Sequence, residues 1–90
     1  MTPARDRRLA EIGLAEGDRV RFRRQANQRW REAVVVGRER DGSVGLRDGK
    51  GAARAIGVDQ IEVRIVGPRG GNSWIALRDW AAREEQLRLI

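Results

Sequence analysis

Apolar and polar side chains alternate with a period of two along Arg19-Val20-Arg21-Phe22-Arg23. That pattern predicts a half-buried strand with Val20 and Phe22 inward and Arg19, Arg21 and Arg23 outward. A polar loop, Gln25 to Arg29, leads to a second strand from Trp30 to Val36, rich in β-branched residues and ended by Gly37. Asp41-Gly42 is a hairpin signal between Val34–Arg38 and Ser43–Arg47. Asp48-Gly49-Lys50-Gly51 marks another turn before Ala53–Ile56, and Val58-Asp59-Gln60 is a short connector to the alternating run Ile61-Glu62-Val63-Arg64-Ile65. Five short strands joined by tight turns, with no helix between them, predict a mainly β fold. Closing them into a small five-stranded barrel would remove most exposed edges.

Helices are expected only at the two ends. Thr2 and Pro3 suit the cap and first position of a short N-terminal helix over Ala4–Ile12, stopped by Gly13. Its only large apolar residues, Leu9 and Ile12, predict weak docking. Gly67-Pro68-Arg69-Gly70-Gly71-Asn72 reads as a hinge. Asn72 or Ser73 would then cap a helix beginning near Trp74, in which Trp74, Leu77, Trp80 and Ala81 share one stripe. Glu84 interrupts that stripe, and two carboxylates at a helix C-terminus oppose the helix dipole. The Glu84–Arg88 spacing favours extension, but the balance predicts fraying near Glu85 and a free tail from Gln86 to Ile90. The expected organisation is an N-terminal extension (1–13), a barrel (14–66), a hinge (67–72) and a C-terminal helix and tail (73–90).

Ninety residues, 40% hydrophobic and 36% charged, suit one small globular domain. No stretch is apolar over the length of a membrane span, and no apolar run follows the charged first residues, so a cytoplasmic protein with no membrane partner is expected. The absence of Cys and His removes disulfide, thiolate and typical structural zinc chemistry and leaves no ordinary general base. Ser43 and Ser73 have no evident base partner, and Lys50 lies in a turn between glycines. Asp48, Glu62 and Arg64 faintly resemble an acidic nuclease spacing, but Arg stands where that pattern needs Lys. No enzymatic role, cofactor or metal is expected.

The chain carries 19 basic against 13 acidic residues, a net charge of +6. Residues 1–40 hold eleven Arg and six acids (+5), whereas residues 41–90 hold eight basic residues and seven acids (+1). This asymmetry points to a basic surface near the first strands.

Gly17-Asp18-Arg19-Val20, Arg29-Trp30-Arg31-Glu32-Ala33-Val34-Val35, Asp41-Gly42-Ser43-Val44, Arg47-Asp48-Gly49 and Val58-Asp59-Gln60-Ile61-Glu62-Val63-Arg64 together resemble a Tudor-type SH3-like barrel over about residues 16–66. The resemblance implies that Ala33 and Val35 face the core and that Trp30 sits near the barrel's open end. Members that bind methylated Arg or Lys surround the cation with several aromatics. Here there is no Tyr, and Gly49 stands where an aromatic is common, so Trp30 alone would remain as a cage wall and methyl-mark reading is disfavoured.

Two surfaces are candidate binding sites. Arg19, Arg21 and Arg23, extended by Arg24, Arg29 and Arg31, would form one basic patch against nucleic-acid phosphates, with Trp30 among them stacking on a base or on an Arg. The alternative is a solvated strand face. Gln86-Leu87-Arg88-Leu89-Ile90 resembles the bacterial sliding-clamp-binding peptide, which implies a polar pocket for Gln86 and a greasy one for the two later apolar side chains, Leu89 and Ile90. The competing role for these residues is to close the helix onto the barrel rim. Trp74 and Leu77 are expected to cover the barrel and Trp80 to stay partly exposed as a further partner anchor. The combined expectation is a non-enzymatic, nucleic-acid-associated accessory module, the alternative a pure protein–protein adaptor.

Overall fold

The fold is that of a computed structural model and is described for residues 8–88. Six strands form one open antiparallel sheet: β1 (Arg19–Phe22), β2 (Arg31–Arg38), β3 (Val44–Asp48), β4 (Ala53–Ile56), β5 (Ile61–Val66) and β6 (Asn72–Ala76). Their order across the sheet is β4-β3-β2-β1-β5-β6. The five strands expected from alternation are all present. A 3-10 turn, Val58–Gln60, fills the expected connector, and helix α1 (Leu77–Arg88) ends the described chain. Among the described residues no helix is long and apolar enough to cross a membrane.

The core follows the period of two. Val20 and Phe22 from β1, Ala33 and Val35 from β2, Val44 and Leu46 from β3, Ile56 from β4 and Ile61 and Val63 from β5 are buried on one face. In β2 the register against β3 shifts between Val35 and Gly37, so that Val36 is an extra residue. Such a bulge bends the strand and increases its twist. Beyond the bulge, Gly37 and Gly45 face each other, and a Cβ built on Gly45 would stand 2.8 Å from a Glu39 side-chain oxygen and 3.4 Å from the Gly37 carbonyl. The Glu39 oxygen is the movable end of an exposed side chain and the carbonyl distance is ordinary contact, so a small side chain at position 45 would need only Glu39 to swing aside.

The barrel closure expected from the sequence does not form. Within β4-β3-β2-β1-β5, a closing ladder would use the free edge of β5. That edge is occupied by β6, whose Asn72–Ala76 pairs antiparallel with Glu62–Val66. The same strand corrects the reading of residues 67–76. The glycine-rich segment is a hairpin turn, with the Gly67 N–H donating to the Gly71 carbonyl at 2.7 Å and Gly70 at a φ of +80°. Ser73 and Trp74 lie in β6 rather than at a helix start, and α1 begins at Leu77. Asn72-Ser73-Trp74-Ile75-Ala76 shows no alternation, and the 3.6-residue stripe through Trp74, Leu77 and Trp80 reads as helix.

The C-terminal helix also runs further than expected. Its backbone is helical through Arg88, so Gln86 and Leu87 are helical and not part of a free tail. The run from Ala81 to Leu87 consists entirely of strong helix formers, which outweighs the two carboxylates near its end. Leu89 and Ile90 lie outside the described residues.

Both terminal elements complete the core. Leu9 is fully buried despite being one of only two large apolar residues in its segment, so the expected weak docking is not observed. Residues 8–10 are helical. They end in paired bonds, Leu14 N–H to Leu9 carbonyl and Gly13 N–H to Ala10 carbonyl, both 3.0 Å, with Gly13 at a φ of +75°. This is the glycine-terminated helix stop anticipated at that position. Arg8 donates to the Glu39 carbonyl at 2.7 Å while Arg38 donates to the Arg8 carbonyl at 3.1 Å, clamping the segment onto the end of β2. From the other end, Leu77 is fully buried and Trp80 packs beside the core. The core thus draws on Leu9 and Leu77, and the sheet on β6, all outside the stretch 14–66.

Candidate nucleic-acid interface

The strand period carries the candidate arginines to two different faces. Arg19 and Arg21 alternate with the buried Val20 and Phe22 and project from the convex side of the sheet. Arg31 shares the parity of the buried Ala33 and Val35 and opposes Phe22 in register, so it belongs to the concave side, at the end where the core runs out. Arg54, opposite the buried Leu46 on β4, lies on that same side. The single patch expected from sequence is thus divided, because Arg31 falls on an odd-numbered, core-facing position of β2.

On the convex side, Arg21 is consumed internally. Its Nε donates to Glu62 Oε1 at 2.8 Å, and its guanidinium lies 4.4 Å from the Trp30 ring centroid and 4.7 Å from that of Trp74. Glu32 and Glu62 are its register partners on the two neighbouring strands. A cation between two indoles and a carboxylate is well satisfied, and Arg21 acts as a clip joining β1, β5 and β6. Trp74 was expected to cover the core; it instead stands on the convex face, opposite Arg64. It is the second aromatic wall that sequence reading missed, and the slot between the walls is filled by the protein's own Arg21. Arg19 stands apart from this clip and lines a shallow depression with Arg64 and Trp80.

The remaining arginines converge. Arg23, Arg24, Arg29 and Arg31, together with Arg54, line one cavity of about 380 Å³ whose apolar floor is Phe22. Arg54 was not anticipated; its position opposite Leu46 becomes visible only with the β3–β4 register. The β1–β2 loop that supplies the first three arginines is held at residues 23–25 by two side-chain amides. Gln28 Oε1 accepts from the backbone N–H groups of Arg24 and Gln25 at 3.1 and 3.2 Å. Gln60 donates to the Arg24 carbonyl at 2.9 Å, and the Arg23 N–H donates to the Gln60 carbonyl at 3.2 Å. Arg23 stacks on Trp30 at 4.2 Å. Of the two partners open to Trp30 in the sequence, it takes arginine.

Only one of the five cavity arginines is ion-paired to a carboxylate among the described residues. Arg54 Nε donates to Asp48 Oδ2 at 2.8 Å. The other Asp48 oxygen accepts from the N–H groups of Lys50 and Ala52 at 2.9 and 3.0 Å, so the turn holds the carboxylate and the carboxylate holds Arg54. These donors, Arg54 first, pull the Asp48 carboxyl from its ordinary 3.8 down to about 2. A carboxyl depressed on folding stabilises the fold above its unfolded pKa, and that contribution is lost as pH falls through the folded one. Asp48→Asn should therefore lower the urea midpoint at pH 5–7, and the gap to wild type should close between about pH 4 and pH 2. A gap independent of pH across that window would contradict the linkage.

The acidic spacing noted in the sequence does not assemble. Asp48 and Glu62 lie on β3 and β5, separated by β2 and β1, and each is engaged by its own arginine. Among the described residues no group of three or more acidic side chains could hold a metal ion.

The C-terminal candidates fare unequally. Trp80, expected as a partner anchor, is half-buried against the core and donates its indole N–H to the Gly13 carbonyl at 2.8 Å. It ties α1 to the N-terminal segment, which explains why the polar end of the ring is not free for a partner. Gln86 is exposed on the helix. No protein-family model, curated protein or solved structure matches the chain.

Proposed function

We propose that this chain is a non-enzymatic module that binds nucleic acid through its phosphates at the arginine-lined cavity. The observation that carries this reading is the convergence of Arg23, Arg24, Arg29 and Arg31 on one cavity without a carboxylate partner among the described residues, beside a fifth arginine aimed by Asp48. Uncompensated like charges repel, and a site that gathers them is stabilised by a polyanion. Guanidinium forks match phosphate oxygens in pairs. Phosphate contacts of this kind give little sequence preference.

The sheet itself we read as an SH3-like, Tudor-type coil extended by β6. The order β4-β3-β2-β1-β5, the bulge that bends β2 and the one-sided core favour it. In this reading the cavity is the coil's open end, and the aromatic slot of methyl-mark readers is closed by Arg21.

Binding through these four arginines predicts a log–log salt slope near −3 for a short single strand, at about 0.7 per phosphate neutralised. Fluorescence anisotropy with the full chain should then show roughly a 50-fold loss of affinity between 50 and 200 mM salt. Affinity unchanged over that range would remove the reading. A competing role as a protein–protein adaptor draws support from the outer turns of α1, where Ala82, Arg83, Glu85 and Gln86 are exposed. Under that reading a partner such as a sliding clamp docks on the C-terminal segment from Gln86 onward, the last helical turn would have to unwind to present an extended peptide, and oligonucleotides do not bind.

A further inference from the structure

The cavity is small and its charge is dense, and both properties bear on which part of a nucleic acid enters it. Its volume of about 380 Å³ lies at the low end of the range for small-molecule pockets, about 300–1,000 Å³. A volume of that order accommodates one nucleotide-sized group and not a run of backbone. Phe22, 3% exposed, closes the bottom. Arg31 and Arg54 face the cavity from β2 and β4, and Arg23, Arg24 and Arg29 come from the β1–β2 loop, so cations approach from three segments of the chain. A phosphodiester offers that cluster a single negative charge per nucleotide. A terminal phosphate monoester carries about 1.5 to 2 at neutral pH, with three oxygens available to donors instead of two. The ligand that best balances the cluster within the available space is therefore a terminal phosphate.

We propose that the arginine cavity receives the terminal phosphate of a nucleotide, at the phosphorylated end of a nucleic-acid strand or on a free nucleotide. This rests on the phosphate-binding reading above and narrows it from backbone to end group. Arg54 is the specificity element: Asp48 fixes its guanidinium at 2.8 Å, so one donor fork is already oriented before the ligand arrives. Arg23, stacked on Trp30, stands at the lip, where the next nucleotide would leave the cavity.

The test compares one short single strand carrying a 5′-hydroxyl, a 5′-phosphate or a 3′-phosphate, together with a free nucleoside monophosphate, on the full chain at 50 mM salt. At least about tenfold tighter binding of one phosphorylated strand over the hydroxyl strand is expected, the scale of one added charge-assisted contact. Arg54→Met should lose at least about tenfold more affinity for the phosphorylated strand than for the hydroxyl one. If that variant does not fold, Arg31→Ala serves in its place. A free monophosphate that competes at similar concentration identifies the nucleotide as the source; failure to compete identifies the strand end. Equal affinity for all three strands overturns the end-group proposal while leaving phosphate binding intact. No binding by any probe overturns both.

Discussion

Replacing Arg29 and Arg31 together by glutamate should weaken oligonucleotide binding by about 100-fold or more at 50 mM salt, while leaving the thermal midpoint within a few degrees of wild type. The size follows from two charge-assisted contacts worth about 1.5–3 kcal/mol each, with tenfold in affinity per 1.4 kcal/mol. Neither residue is held in place by a carboxylate among the described residues, and both are exposed, so their reversal removes ligand contacts without uncovering a core. The companion substitution Arg19→Glu provides the contrast. Arg19 lies across the sheet beside Arg64 and away from the cavity, and its reversal should cost well under tenfold, through the long-range field alone. A loss for Arg19→Glu as large, per reversed charge, as that of the double variant would mean that net charge, and not the cavity, governs binding.

Leu9→Ala should destabilise the fold by about 2–5 kcal/mol, the usual range for removing a fully buried leucine. A domain of this length has a total stability of about 5–13 kcal/mol, so the loss is a large fraction of the whole. Leu9 lies in the same buried cluster as the β-sheet residues and Leu77, and the reciprocal bonds of Arg8 and Arg38 hold its segment in place. Chemical denaturation reads the effect as a shift of midpoint at constant slope. A shift no larger than that of an exposed substitution, about 0.5 kcal/mol, would show that the N-terminal segment is an accessory and not part of the core.

The strands were legible because each carries its own local signal. Val20 and Phe22 alternate with arginines, Asp41-Gly42 and Asp48-Gly49 announce turns, and the side chains of Asp41 and Asp48 accept the backbone N–H groups those turns leave free. β6 was not legible because its five residues carry no such periodic excess. Trp74-Ile75-Ala76 is apolar throughout, and Trp74 with Leu77 and Trp80 makes a regular helical stripe. The turn before it, with glycines at 67, 70 and 71, has the composition of a linker as well as of a hairpin. The buried role of Leu9 was equally hidden, since two apolar residues define no face until a sheet supplies the surface to be covered.

For the candidate site, residue type was legible and face was not. Arg23 stood out from strand alternation and Arg24, Arg29 and Arg31 as its basic extension, and these four line one cavity. Arg21 looked equivalent to its neighbours, because its removal into an ion pair depends on Glu62, forty-one positions away in sequence. Arg54 went unnoticed for the converse reason: only the β3–β4 register places it on the concave side, and only the Asp48 turn aims it. Long-range pairing therefore decided which guanidinium groups are engaged by a carboxylate, and a local reading of alternation has no access to that.

The most direct measurement is a titration of the full, isotopically labelled chain with a short 5′-phosphorylated single strand at low salt, followed by backbone amide shifts. Phosphate seated among the cavity arginines predicts the largest perturbations at residues 22–31 and at Arg54, with little change at Arg19, Arg64 or along α1. Perturbations centred on the convex face or on α1, or a spectrum unmoved by the oligonucleotide, would contradict it.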